Sequence, residues 1–150
     1  MILLIHLLFG AAIGSVVENI PLAVLLAFLG HYFLDLFPHI EYPVPAFKNK
    51  KWDFHWQSFL VISFDFIFGL YIIFLFSNNK PIIYLCALIA LVPDLLTLFE
   101  YKFKNNFLLK MGFFHDKIIH FLKYKKIPIF WRIISQLIAI VISIILIIRV

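Results

Sequence analysis

The chain has 150 residues, of which 64% are hydrophobic and 14% charged, with a formal net charge of +5 and a mean hydropathy of +1.03. So apolar a composition excludes a soluble domain of this length and predicts an all-α integral membrane protein, whose basic excess reports topology rather than nucleic-acid binding. A single cysteine, Cys86, excludes a disulfide framework within the chain.

A membrane-spanning helix needs about 20 mostly apolar residues. Five segments are candidates: Ile2 to Val17, Leu22 to Phe37, Phe59 to Phe76, Ile82 to Phe99 and Ile129 to Ile148. The first two are short and predict a thinned bilayer or a shallow hairpin. The Met1 segment has neither a basic leader nor a small-x-small cleavage site, so it is expected to be retained. Glu18-Asn19-Ile20-Pro21 and Ser77-Asn78-Asn79-Lys80-Pro81 are turn signals that close two helical hairpins. Each hairpin is followed by a basic segment. Lys48, Lys50 and Lys51 follow the first, lysines from Lys102 to Lys126 follow the second, and Arg132 opens the last span, while Lys80 and Arg149 lie opposite. The positive-inside rule therefore puts the N-terminus and both long loops in the cytoplasm.

Slid 59 residues along itself, the chain matches at ten positions between Met1 and Tyr42. Phe9-Gly10 falls on Phe68-Gly69, Asp35-Leu36 on Asp94-Leu95, and Glu41-Tyr42 on Glu100-Tyr101. The organisation expected is a single membrane domain of two tandem helical-hairpin repeats, 1–58 and 60–126, with a C-terminal span over 128–150 and a pseudo-twofold axis along the membrane normal. In that last span Ser135, Gln136 and Ser143 are the only uncharged polar residues, which predicts a packing or lipid-facing helix without chemistry. Phe114, Ile118 and Leu122 recur at helical spacing away from Lys110, Lys117 and Lys123; this stretch is either an interfacial amphipathic helix or a solvated connector.

A charge at the centre of a spanning helix costs about 2.5–3.5 kcal/mol even on insertion scales, so each ionisable residue there needs a partner or a role. Counted from the hairpin turns, His6, His31, Asp35, Asp65 and Asp94 fall at similar depth, in the cytoplasmic half of the membrane. His31 and Asp35 lie four apart on one helical face. Two imidazoles and three carboxylates suit zinc, manganese or ferrous iron. A buried hydrogen-bonded network that locks the hairpins together, or a proton or ion pathway, would use the same residues. Nearer the cytoplasm lie His39, Glu41, His55, Glu100, His115, Asp116 and His120, expected to support the site or to meet substrate. His115 and His120, five apart, match one α-helical face poorly and are not expected to form a ligand pair.

The run Gly30-His31-Tyr32-Phe33-Leu34-Asp35-Leu36-Phe37-Pro38-His39, with His6-Leu7-Leu8-Phe9-Gly10 before it and Val92-Pro93-Asp94 after it, resembles the bacterial membrane-bound metal-dependent hydrolases. These include the inner-membrane metal-dependent hydrolases and, more distantly, zinc-dependent phospholipase C proteins; the resemblance covers Met1 to Glu100. It implies His6, His31, Asp35 and Asp94 as metal residues, a divalent ion such as zinc, and a bacterial or archaeal cytoplasmic membrane. The expected activity is hydrolysis of an amphiphilic ester or phosphoester at the cytoplasmic face. A metal-bound water would be the nucleophile, Asp65 the base, and membrane lipids rather than nucleic acid the surroundings. No Gly-x-Ser-x-Gly, P-loop or dinucleotide fingerprint points to another enzyme class. The competing expectations are a metal or proton transporter or channel subunit, and a non-catalytic structural membrane protein.

Overall fold

The computed structural model describes residues 1–42, 56–103 and 105–149. Among the described residues every regular element is helical: α1 (Leu3–Val16), α2 (Ile20–Asp35), α3 (Trp56–Phe76), α4 (Pro81–Ile89), α5 (Val92–Lys102), α6 (Asn106–Phe113), a π-helical turn (Phe114–Ile118), a 3-10 turn (Ile119–Tyr124) and α7 (Ile129–Ile148).

Three stretches are long and apolar enough to cross a membrane: Trp56–Phe76, Pro81–Glu100 and Ile129–Ile148. The five spans expected from the sequence are thereby corrected to three. At 14 and 16 residues, α1 and α2 reach only about 21 and 24 Å, against a hydrocarbon core of about 30 Å. Local chemistry ends both helices early. Val17 is extended, and Asn19 caps α2 by accepting from the Leu22 N–H at 3.0 Å, with Pro21 in the first turn where no N–H is needed. At the other end, Pro38 disfavours continuation of α2 beyond Phe37.

The short α1 is the centre of the molecule. It packs against α2, α3, α4 and α7, and it buries Ile5, His6, Leu7, Leu8, Gly10, Ala11, Ala12 and Gly14. Gly10 and Gly14 let its backbone approach α4 closely: a Cβ added at Gly10 would lie 2.5 Å from the Cys86 carbonyl oxygen, and one at Gly14 2.8 Å from that of Ile82. The N-terminal turn of α1 carries donors with no partner inside the helix, and two side chains supply acceptors. Leu3 N–H donates to the Tyr42 hydroxyl oxygen (3.0 Å) and Leu4 N–H to Asp65 Oδ2 (2.8 Å), while the Tyr42 hydroxyl donates to that same carboxylate oxygen. Burial, with the bond to Asp65, pushes the Tyr42 phenol well above its ordinary pKa.

Pro93 lacks the N–H that would continue α4 into α5, so the apolar stretch turns at Ala90–Leu91. The Ala90 carbonyl faces α2 at this break, and the site is organised around it.

Candidate metal centre

His31 and Asp35 lie one turn apart near the end of α2, and both are buried. Asp35 is the hub. Its Oδ1 accepts from the chain's amino-terminal nitrogen at 2.8 Å and lies 3.4 Å from His6 Nε2 and 3.8 Å from His39 Nε2. Its Oδ2 lies 3.1 Å from His31 Nε2, 3.3 Å from His115 Nε2 and 3.3 Å from His120 Nε2. Five of the six histidines of the chain thus surround one carboxylate. The sixth, His55, lies outside the described residues.

The ring nitrogens facing away from Asp35 fix the tautomers. A carbonyl only accepts, so His31 Nδ1 donates its proton to Ala90 O at 2.7 Å and leaves a lone pair on Nε2. Thr97 spends its hydroxyl proton on Pro93 O (3.1 Å), so its oxygen accepts from His115 Nδ1 at 3.2 Å, and His115 Nε2 likewise carries a lone pair. The two Nε2 atoms lie 3.0 Å apart. Asp94, in the first turn of α5, brings Oδ1 to 3.6 Å from His31 Nε2 and 3.8 Å from His115 Nε2. His31, Asp35, Asp94 and His115 therefore each offer a lone pair within 4.8 Å of the others, and this cluster could hold a metal ion. Ligands about 2.0–2.2 Å from a tetrahedral ion lie roughly 3.3 Å apart, within the range of these separations.

A second group of potential ligand atoms belongs to Asp35, His39 and His120. His39 Nδ1 donates to Phe37 O at 2.7 Å, which turns its Nε2 inward. Burial, reinforced by the nearby amino-terminal charge, lowers His39 from 6.5 to about 3, so the ring is neutral at pH 7. The segment carrying His39 is held by α7. Ser135 donates to Pro38 O, Gln136 Nε2 to Ile40 O at 3.0 Å, and Arg132 Nη1 to His39 O at 3.5 Å. The last helix, read from sequence as a packing or lipid-facing helix without chemistry, thus anchors one wall of the site. Glu41 Oε1 lies 3.5 Å from His120 Nδ1 and 3.8 Å from His39 Nε2.

The structure brings His31, Asp35 and Asp94 together as ligand-bearing groups and adds His115 to them. His6 is fully buried beside Asp35 and stacks on His31 with ring centroids 4.0 Å apart, but it belongs to neither ligand group, and its two nitrogens make no hydrogen bond. Asp65 stands apart from both groups, at the N-terminus of α1. Glu100 packs its carboxylate over Gly112, in the space a side chain there would fill. Asp116 belongs to neither group.

The approach of both His115 and His120 to Asp35 was hidden by the helix type. Over Phe114–Ile118 the chain winds as a π-helix and then tightens to 3-10 geometry, with His120 itself non-helical at φ −81°, ψ 30°. The wider π turn brings residues five apart onto one side, so both imidazoles reach Asp35. The face read as apolar is the outward one: Phe114 and Ile118 are exposed, while Gly112, His115, Ile119 and His120 are buried.

No family model matches the chain, and neither does any curated protein or solved structure.

Proposed function

We propose that the protein is a membrane-embedded metal-dependent hydrolase acting on an amphiphilic ester or phosphoester at the cytoplasmic face, as its resemblance to the membrane-bound metal-dependent hydrolases implies. One observation carries the reading: His31, His115, Asp35 and Asp94 each bring a ligand atom to one point, while the far nitrogens of both rings are held by Ala90 O and the Thr97 hydroxyl. Four converging donor groups of this kind suit a cation. A proton on one ring would relieve only the contacts that ring makes, whereas a divalent ion satisfies all four groups at once. Two imidazoles and two carboxylates suit zinc, with manganese and ferrous iron accommodated by the same donors. A divalent ion bound there would supply Lewis acidity and lower the pKa of a water molecule it holds.

The surroundings support an amphiphilic substrate. A cavity of about 10 Å³, roughly the size of one water, is lined by Asp35, His39, Glu41 and Arg132 among others. Beside it an apolar groove of about 430 Å³ runs between α1, α2 and α7, and the two share Phe37 and Pro38. An acyl chain in the groove would bring its polar head to the cavity, where Arg132 offers a cation to a phosphoester and Glu41 is the carboxylate best placed to accept a proton.

The test is metal content and hydrolysis measured on detergent-purified wild type, Asp94→Asn and His115→Asn, each checked for folding by circular dichroism and gel filtration. Stoichiometric metal in the wild type, lost in folded variants together with metal-dependent cleavage of lipid esters or phosphoesters, is expected. A metal-replete wild type without bound metal overturns the reading. Bound metal with uptake into liposomes and no hydrolysis replaces it by a transporter.

A further inference from the structure

The first ion would leave His39 and His120 unused, although both aim ring nitrogens at Asp35. His39 Nε2 carries a lone pair, its Nδ1 proton being donated to Phe37 O, and lies 3.8 Å from Asp35 Oδ1. His120 Nε2 lies 3.3 Å from Asp35 Oδ2, and its Nδ1 is buried without a hydrogen bond, 3.5 Å from Glu41 Oε1. A neutral imidazole carries one ring proton. With that proton on Nδ1, directed at Glu41, His120 presents a lone pair to Asp35 as His39 does. Around the same carboxylate, His39 thus repeats the arrangement of the first centre, its ring turned inward by an outward carbonyl, and His120 presents its Nε2 beside it.

We propose that Asp35 bridges two divalent cations, one held by His31, His115 and Asp94 and a second held by His39 and His120. The inference rests on the reading of the first centre as a metal site. A carboxylate has about four lone-pair positions on two oxygens. Oδ2 faces His31, His115 and His120, and Oδ1, which gives one lone pair to the chain's amino-terminal nitrogen, keeps another facing His39. The ligand atoms of Asp35, His39 and His120 lie within 4.8 Å of one another, as a shared ion requires. Three protein ligands leave the second ion open on the side of the cavity lined by His39, Glu41 and Arg132. That open position gives an anionic headgroup a second point of attachment. Two bridged cations clamp the attacking and leaving oxygens of a phosphoryl centre, so a phosphoester is the substrate class this centre fits.

The wild-type protein, freed of metal by chelation and titrated with Zn²⁺ or Mn²⁺, tests the stoichiometry without any variant. Two ions per chain are expected, and the Mn²⁺-loaded protein should show the exchange-coupled paramagnetic resonance of a bridged pair. His39→Gln and His120→Asn, each verified as folded, should keep one ion and lose the coupling. One ion in the wild type, unchanged in both variants, overturns the second site and leaves the first centre standing. Two uncoupled ions overturn the bridge, and loss of both ions in folded His120→Asn assigns His120 to the first site instead. Absence of any ion overturns both readings.

Discussion

α1 and α3 fall on one another when the sequence is slid 59 residues along itself, yet the structure uses them in opposite ways. α1 is the hub of the fold and buries eight residues, while α3, half as long again, buries only Gly69 and Ile73. The difference lies in a five-residue window. Where α1 reads Gly10-Ala11-Ala12-Ile13-Gly14, α3 reads Gly69-Leu70-Tyr71-Ile72-Ile73. Small residues let α1 pack backbone against backbone with α4. The bulky residues of α3 keep its neighbours at side-chain distance and leave much of its apolar surface facing outward. The polar residue at the equivalent position follows suit: His6 is carried to the centre beside Asp35, whereas Asp65 is left to bind the first turn of α1. Asp35 and Asp94, by contrast, keep their equivalence and meet around His31.

The sharpest way to break this comparison is Gly10→Leu. The new side chain would begin 2.5 Å from a backbone carbonyl oxygen that cannot rotate away, so α1 and α4 must separate. A loss of about 3 kcal/mol or more is expected, at the upper end of overpacking costs, together with loss of metal binding as α2 and α5 lose their register. Unfolding in detergent and metal content of the purified variant measure both. A Gly10→Leu protein as stable as wild type would remove α1 from its central role.

The legible parts of the site were those carried by regular α-helix. The four-residue spacing of His31 and Asp35 marks one face of α2, and the matched depths of Asp35 and Asp94 anticipated their convergence. His115 and His120 were legible as supporting residues, but their joint reach to Asp35 was not, because a 3.6-residue period does not describe a π turn followed by a 3-10 turn. The signal available was chemical rather than periodic: two histidines in a lysine-rich stretch of a chain that has six in all. The polar face of α7 escaped for another reason. Arg132, Ser135 and Gln136 bond backbone carbonyls of Pro38, His39 and Ile40, and a carbonyl leaves no trace in side-chain patterning. The count of spans erred at the two segments whose shortness was legible, since α1 and α2 end sooner than the apolar runs that contain them.

Asp65→Leu sharpens the contrast between His6 and its repeat counterpart. The substitution leaves the Leu4 N–H and the Tyr42 hydroxyl without their shared acceptor, which is expected to cost about 2 kcal/mol, within the usual penalty for unsatisfied buried donors. Metal content should be unchanged, because Asp65 belongs to neither ligand group. Loss of metal at unchanged stability would return Asp65 to the centre.

The smallest effect expected, and the finest test of the five-residue window, comes from Gly69→Ala set beside Gly10→Ala. Both exchanges place alanine inside a helix, where it is favoured over glycine by about 0.5–1 kcal/mol, so the helical gain is common to the pair. Only the neighbours differ. At Gly69 the added methyl meets Leu7 Cδ1 at 2.7 Å and Leu4 Cδ1 at 3.2 Å, the far ends of flexible side chains that can give way. At Gly10 it meets the Cys86 carbonyl oxygen at 2.5 Å and the Ala90 Cβ at 2.8 Å, neither of which can move without its helix. Gly69→Ala should therefore stay within about 1 kcal/mol of wild type, the helical gain offsetting the adjustment of the leucines, whereas Gly10→Ala should lose about 1–3 kcal/mol. Equal losses at the two positions would mean that α3 approaches α1 as closely as α1 approaches α4, and the contrast between the two helices would be lost.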